Sequence, residues 1–450
     1  MIMLRRIALK VSGGILAAAL ATCVYPAEQK ARGPVDPGVR GGPPSAGSPL
    51  PGLTADENTF FADGHDRFAE IEAVTGGANN GLGPRFNSNQ CLSCHSQPAA
   101  GGSSPVPNPL LVVARLNGAN NVVPWFITKD GPIREARFKR NSNGTNDGEV
   151  HDLFVITGRR DAPGCNITQP NYEQAIQQNN VIFRIPTPLF GLGEVENTPD
   201  INLKNDAAAV ASQRQALGIS GNFNYSANDG TITRFGWKAQ NKSLLMFAGV
   251  AYNVEIGVTN ALFPNERDDT LGCQFNQLPE DTTNLSENGA SNSPASDYSS
   301  DIVNFAALMR LSAGPKPAPA TASTTRGQQA FNNIGCNLCH IAQHTTAQSI
   351  FTNQSNVTFF PFSDFELPNM GVGLQDQISQ GQAAGGQFRS APLWGVGQRI
   401  FFLHDGRTTD LLQAIQAHKS DGSEANTVIG NFNALAVSSQ QDILNFLRSL

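Results

Sequence analysis

The chain has 450 residues, 40% of them apolar, and a formal charge of −6 with only 15% charged residues. That length exceeds what one hydrophobic core organises and implies two or three domains. No basic block is present that could track a phosphate backbone, so nucleic acid is not an expected partner.

In chain order, Arg5, Arg6 and Lys10 precede an apolar run from Val11 to Ala21. The run is too short for a permanent span and predicts a secretory signal over residues 1–21, hence a periplasmic or otherwise exported protein. A variant reading takes Leu20-Ala21-Thr22-Cys23 as a lipoprotein box, with a lipid anchor on Cys23. Residues 22–54 are rich in Pro and Gly and predict a flexible tether. Residues 58–101 read as helical. From about 110 to 250 short β-prone runs (LLVVARL, VPWFIT, DLFVIT, NVIFRI, GTITRFGW) alternate with Asn, Gly and Pro and predict a β-rich elaboration with an antiparallel sheet. A second Pro/Ala-rich stretch, 312–325, predicts a linker between a domain over 55–311 and one over 326–450. The last residues, Gln440 to Leu450, carry apolar side chains at helical spacing.

The seven cysteines divide unevenly. Cys23 lies at the signal edge, and Cys165 and Cys273 are candidates for a disulfide in an oxidising compartment, with two buried thiols as the alternative. The other four form CLSCH at 91–95 and CNLCH at 336–340. Cys-x-x-Cys-His is the attachment signature of c-type haem: one helical turn brings both sulfurs to one porphyrin edge while His faces the iron. One copy could arise by chance; two in an exported chain with seven histidines point to two covalently bound haem c groups, held by Cys91, Cys94 and His95 and by Cys336, Cys339 and His340. Zinc would need each pair completed by further Cys or His at matching spacing. The expected fold class is therefore α+β, with two mainly helical cytochrome c-like domains, the first carrying the β-rich insertion. No internal repeat beyond the two motifs is apparent.

A transfer haem needs two axial ligands, whereas a catalytic one keeps a face open. Candidates for the remaining positions are His65, His151, His344, His404, His418, Met246, Met309 and Met370. The run FRSAPLWGVGQRIFFLHDGRTTDLLQAIQAH closely resembles the segment after the second haem in bacterial di-haem cytochrome c peroxidases and the related di-haem enzyme of methylamine utilisation. Over residues 55–450 the chain is still more similar to the di-haem oxidoreductase branch of that superfamily, through GLGPRFNSNQCLSCHSQPAAGG, VHDLFVITGRRDAPGC, NVIFRIPTPLFGLGEVE and TITRFGWKAQNKSLLMFAGVAYNVEIGVTN.

The resemblance implies roles. The superfamily places an axial Met or a Tyr fourteen residues after the His of an FHDG-like motif; here that motif holds His404 and the position holds His418. His418 is thus the expected partner of His340, with Met370 or His344 as alternatives. A Trp between the haems aligns with Trp237, the expected electron relay, and a catalytic acid and base aligns with Glu255, eighteen residues on. An aromatic in an apolar stripe is more often core, and a Glu more often a salt-bridged surface residue, so both roles stand against bland readings.

Departures from the pattern matter too. Phe247 stands at the distal Gln of the peroxidases and Leu111 where some carry a removable His. Arg399 and Phe401 replace two calcium-binding residues, and Pro368 replaces a His of the branch. The first haem is expected to be open on its distal side, or ligated by His151 or His65. These departures are not those of a plain peroxidase, and the resemblance as a whole implies a peroxidase-type oxidoreductase, with electrons entering at the C-terminal haem from a redox protein or small donor and peroxide or another small oxidant reduced at the N-terminal one. The alternatives are a non-catalytic electron-transfer cytochrome, or an enzyme oxidising a protein or organic partner.

Overall fold

Two helix pairs frame the molecule. Helix α1 (Ala55–Ala69) starts at a reciprocal capping box between Thr54 and Glu57 and packs on α9 (Asp301–Leu311). Helix α10 (Ala322–Asn333) starts the same way, with Thr321 and Thr324, and packs on α14 (Val437–Ser449). Each crossing is close because a glycine sits in it: a Cβ on Gly64 would lie 2.6 Å from Asn304 O, and one on Gly327 would lie 1.9 Å from Asp442 O. Four residues on from each glycine a Phe turns inward. Phe68 meets Phe305 at 6.2 Å and His95 at 6.0 Å; Phe331 meets Phe446 at 5.5 Å and His340 at 6.3 Å. The chain therefore carries a second repeat, Gly-x-x-x-Phe, which escapes a fixed-period search because Phe68 precedes Cys91 by 23 residues and Phe331 precedes Cys336 by five.

The structure, a computed structural model, describes residues 33–283 and 299–450, and Pro34–Leu450 cluster as one unit. The signal segment and Cys23 lie outside the described residues. Among the described residues no helix is long and apolar enough to cross a membrane.

Between the helix pairs the fold is mixed α and β. Short helices α2 (Cys91–Cys94), α3 (Leu110–Val113), α4 (Tyr172–Gln177), α5 (Leu192–Glu196), α6 (Asp200–Ala209), α7 (Ala211–Leu217) and α8 (Leu244–Ala251) alternate with short strands. The largest sheet is three-stranded and antiparallel, with β2 (Glu135–Phe138) between β3 (Val150–His151) and β5 (Val181–Arg184) and Ala136 opposite both His151 and Phe183. Strands β1 (Arg85–Phe86) and β4 (Phe154–Val155) pair just ahead of the first motif.

The elaboration over 110–250 is less β-rich than its composition implies. LLVVARL opens as α3, VPWFIT forms no strand, and residues 192–217 are almost wholly helical. The β-branched side chains there serve core packing: Val113, Ile127, Ile156 and Val195 join Phe68 and Phe305 in one cluster. The described part of the expected tether is also not free. Pro and Gly deny it regular structure but not docking: Asp36 forms an ion pair with Arg448 at 2.6 Å, Arg40 N donates to Gly397 O, and Leu50 N donates to Leu311 O. The Pro/Ala-rich stretch after α9 is pinned likewise, Ala313 N to Ser48 O and Ala318 N to Ser449 O.

Cys165 and Cys273 form a disulfide that spans 108 residues. A loop of that length lowers the entropy of the unfolded chain by the equivalent of about 4.7 kcal/mol. Cys165→Ala/Cys273→Ala is expected to lose about 2–5 kcal/mol in urea unfolding; an unchanged midpoint would show that the link constrains nothing.

Candidate functional site

Both motifs close one turn onto their histidine. His95 N donates to Cys91 O at 3.1 Å and His340 N to Cys336 O at 3.0 Å, so each histidine closes the turn that carries its two thiols. Each ring is also anchored by a carbonyl, His95 Nδ1 on Gly102 O at 3.1 Å and His340 Nδ1 on Phe362 O at 3.0 Å. A carbonyl only accepts, so Nδ1 carries the proton and Nε2 presents its lone pair, the tautomer that ligates a metal. Burial holds both rings at about 4, neutral at physiological pH. Among the described residues neither cysteine pair belongs to a cluster able to hold a lone ion. Two thiols one turn apart, an anchored neutral imidazole and apolar walls fit haem c, and do not fit zinc.

The first motif opens into a cavity of about 320 Å³. Cys91, Cys94, His95, Phe68, Phe305 and Met309 line it, and so do Trp237, Phe247 and Glu255, with Glu135 and Arg137 from β2. The structure thus brings the expected acid, the expected relay and the first motif into one chamber, and residues of the 110–250 elaboration form part of its wall. Leu111 does not line it, while Arg134, Arg184 and Leu110 do.

Glu255 is positioned by a single π-helical turn, Tyr252–Ile256, that follows α8 and ends at Gly257 in the left-handed region (φ 82°). Such turns recur at functional sites. Its carbonyl accepts from Asn87 N at 2.7 Å and Ser88 N at 3.2 Å, which ties the acid to the segment leading into Cys91. Burial pushes the Glu255 carboxyl up to about 8; the Glu135 carboxylate adds to the rise and Arg137 opposes it. Arg137 reaches Glu135 at 2.6 Å and Gly148 O at 3.0 Å. Glu135 and Arg137 were not singled out by sequence. The only signal for them was alternation within EARF, too short to stand out.

Of the alternative ligands for the first haem, His151 is stacked on Phe138 at 3.8 Å, bonded to Asp147 at 2.9 Å, and does not line the cavity. His65 lies on α1 beside Asp66 and is likewise outside it.

At the second motif His418 is the neighbour of His340: after burial, its charge is the largest influence lowering His340. It follows α12 (Leu411–Gln416), and its Nδ1 bonds Ala414 O at 2.8 Å, again leaving Nε2 as the lone pair. His344 cannot serve, since both nitrogens are engaged, Nδ1 with Asp206 and Nε2 with Ser363 O, each at 2.7 Å. Met370 is buried against Trp237, Phe388 and Phe401.

Trp237 stands between these places. It lines the first cavity, donates Nε1 to Ile185 O at 2.9 Å, and packs in a cluster that includes Ala417, adjacent to His418. His404 lies edge-on to it at 6.4 Å and stacks on Phe388 at 4.2 Å. Beside the first motif a buried acidic group gathers: Tyr252 Oη bonds Glu72 at 3.0 Å and Asp301 at 2.9 Å. Burial, helped by mutual repulsion, pushes Glu72 up to about 8 and Asp281 to about 7. With Glu255 at about 8, these carboxyls bind protons more tightly folded than unfolded. Their stabilising contribution is full below the unfolded values of 3.8 for Asp281 and 4.5 for the two Glu, and is lost as pH rises through 7 to 8. The melting temperature is expected to be higher at pH 5.5 than at pH 8.5; a flat profile would contradict the raised values.

A family model described as "di-haem oxidoreductase, putative peroxidase" matches residues 137–450. No curated protein matches the chain. Among solved structures, the di-haem peroxidase BthA of Burkholderia thailandensis is similar at 14% identity and a TM-score of 0.30, over 48% of this chain and 65% of that one. The chain thus spans less than two thirds of the length of BthA. A MauG-like protein associated with microbial copper homeostasis is similar at 17% identity and a TM-score of 0.28, over 51% and 76%. Hydrazine synthase of Kuenenia stuttgartiensis is similar at 16% identity and a TM-score of 0.22, over 35% and 56%. The family match covers well over half of the sequence, so the chain belongs to the di-haem oxidoreductase family.

Proposed function

We propose that the protein is an exported peroxidase with two covalently attached haems, one in a domain over residues 55–311 and one in a cytochrome c-like domain over 326–450. The observation that carries this reading is the shared cavity: Glu255, with its pKa raised towards the working pH, faces the same chamber as Cys91, Cys94 and His95.

When bound, the haem supplies the seat for an oxygen ligand and a store for electrons. Glu255 accepts a proton from one peroxide oxygen and returns it to the other, which leaves as water when the O–O bond breaks. Two electrons and two protons reduce each peroxide to two waters. Arg137 and Glu135 set the polarity around that carboxyl. Phe68, Phe305 and Met309 keep the His95 side apolar. His340 and His418 would hold the second haem, which would supply an electron port that needs little rearrangement, and Trp237, packed between the first cavity and the His418 segment, would relay to the first motif.

The Cys165–Cys273 disulfide supports an oxidising compartment, in keeping with removal of residues 1–21 on export. Peroxide consumption by the purified di-haem protein, given a reduced small electron donor, tests the function. Two donor electrons spent per peroxide are expected. Donor oxidation by other acceptors without peroxide consumption would favour a cytochrome that only transfers electrons.

A further inference from the structure

Two buried arginines lie between the motifs without an acidic partner. Seven arginines are buried among the described residues. Five of them meet a carboxylate: Arg159 with Asp161, Arg184 with Asp376, Arg214 with Asp364 and Glu366, Arg234 with Asp200, and Arg448 with Asp36. Arg389 and Arg399, 9% and 7% exposed, do not. Arg399 Nε and Nη2 have no hydrogen-bond partner at all. Arg389 gives its Nε to Gly236 O at 3.1 Å and faces the Phe365 ring. The two are close enough that the charge on Arg399 lowers the pKa of Arg389, after the larger effect of burial.

An arginine does not shed its proton to escape burial, so two neighbouring guanidinium groups without a counterion are strongly unfavourable. Their surroundings specify what completes them. Arg389 N donates to Trp237 O at 2.9 Å, and two residues on, Ala391 borders the His340 ring. Arg399 follows Gln398, whose carbonyl accepts from Gln97 Nε2 at 3.0 Å, two residues past His95. The pair is therefore held, through its chain neighbours, near both motifs, outside the lining of the first cavity and on the side that meets Trp237 and the His340 ring. Guanidinium forks suit carboxylates.

We propose that Arg389 and Arg399 form the seat for haem propionate carboxylates, fixing the cofactors between the two motifs and placing positive charge beside them. This rests on the reading above that haems occupy both motifs. Positive charge next to a haem favours its reduced form, so neutralising the seat lowers the potential.

The test is Arg399→Gln and Arg389→Gln in the holoprotein, read by spectroelectrochemical titration and by the propionate bending bands in resonance Raman. Each is expected to weaken the electron affinity of at least one haem about tenfold, a downward shift of about 59 mV, and to move the Raman band. Arg399→Lys and Arg389→Lys keep the charge; they are expected to restore most of the potential while the band stays displaced. If the Gln variants do not fold, the Lys variants decide by the band alone. Unchanged midpoints and bands, with two haems per chain, would overturn the proposal. Fewer than two covalent haems in the wild-type protein would instead overturn the reading on which it rests.

Discussion

Glu255→Gln is expected to lower kcat for peroxide reduction by about 10² to 10⁴, the usual contribution of a positioned proton-transfer group. Gln keeps the size and packing of Glu, and the carbonyl of residue 255 keeps its bonds to Asn87 and Ser88, so both haems and the fold should be retained. Only the titrating proton is lost. The acid is suited to its task because burial, together with Glu135, carries it to about 8, where it exchanges protons near neutral pH. Steady-state turnover beside a haem-to-protein ratio checks this; wild-type kcat in the variant would remove Glu255 from the chemistry. An upward shift of the pH profile in Arg137→Met would show that the neighbouring cation, which opposes the rise, also sets the working pH.

His418→Ala is expected to abolish the low-spin ferric signal of the C-terminal haem and to slow its reduction by donor, while the N-terminal haem keeps its spectrum. The ring is prepared for ligation, with Nδ1 held by Ala414 O and the whole side chain beside His340. His418→Met is the informative control. A thioether in place of imidazole keeps six ligands and raises the potential, so a low-spin signal persists at a more positive midpoint. A low-spin signal unchanged in His418→Ala would pass the role to another side chain, with Met370 the first to be examined.

The two Cys-x-x-Cys-His motifs were legible because their pattern is local: Cys91, Cys94 and His95, or Cys336, Cys339 and His340, need only one turn of chain. Trp237 and Glu255 were legible through spacing within a resembling segment, and the fold places both in the wall of the first cavity. The α+β class followed from the change of pattern along the chain. Features set by distant partners were not legible. Asp36 and Arg448 meet across 412 positions, so a Pro/Gly-rich segment reads as free until its partner is placed. Glu135 and Arg137 reach the cavity only because β2 is gripped on both sides by β3 and β5. Arg399 reads as a lost calcium ligand in sequence; its meaning appears only when its burial and its missing partner are seen together. The helices α5 to α7 were hidden because β-prone residues around them serve one core with α1 and α9.

The central claim is an unequal pair of haems, one closed by His340 and His418, the other open towards Glu255. Electron paramagnetic resonance of the fully ferric protein, before and after one equivalent of peroxide, tests it most directly. The account predicts one low-spin signal and one high-spin signal, lost together in a protein unable to attach haem, with only the high-spin species changing at once on addition of peroxide. Two low-spin signals that peroxide leaves untouched would contradict it.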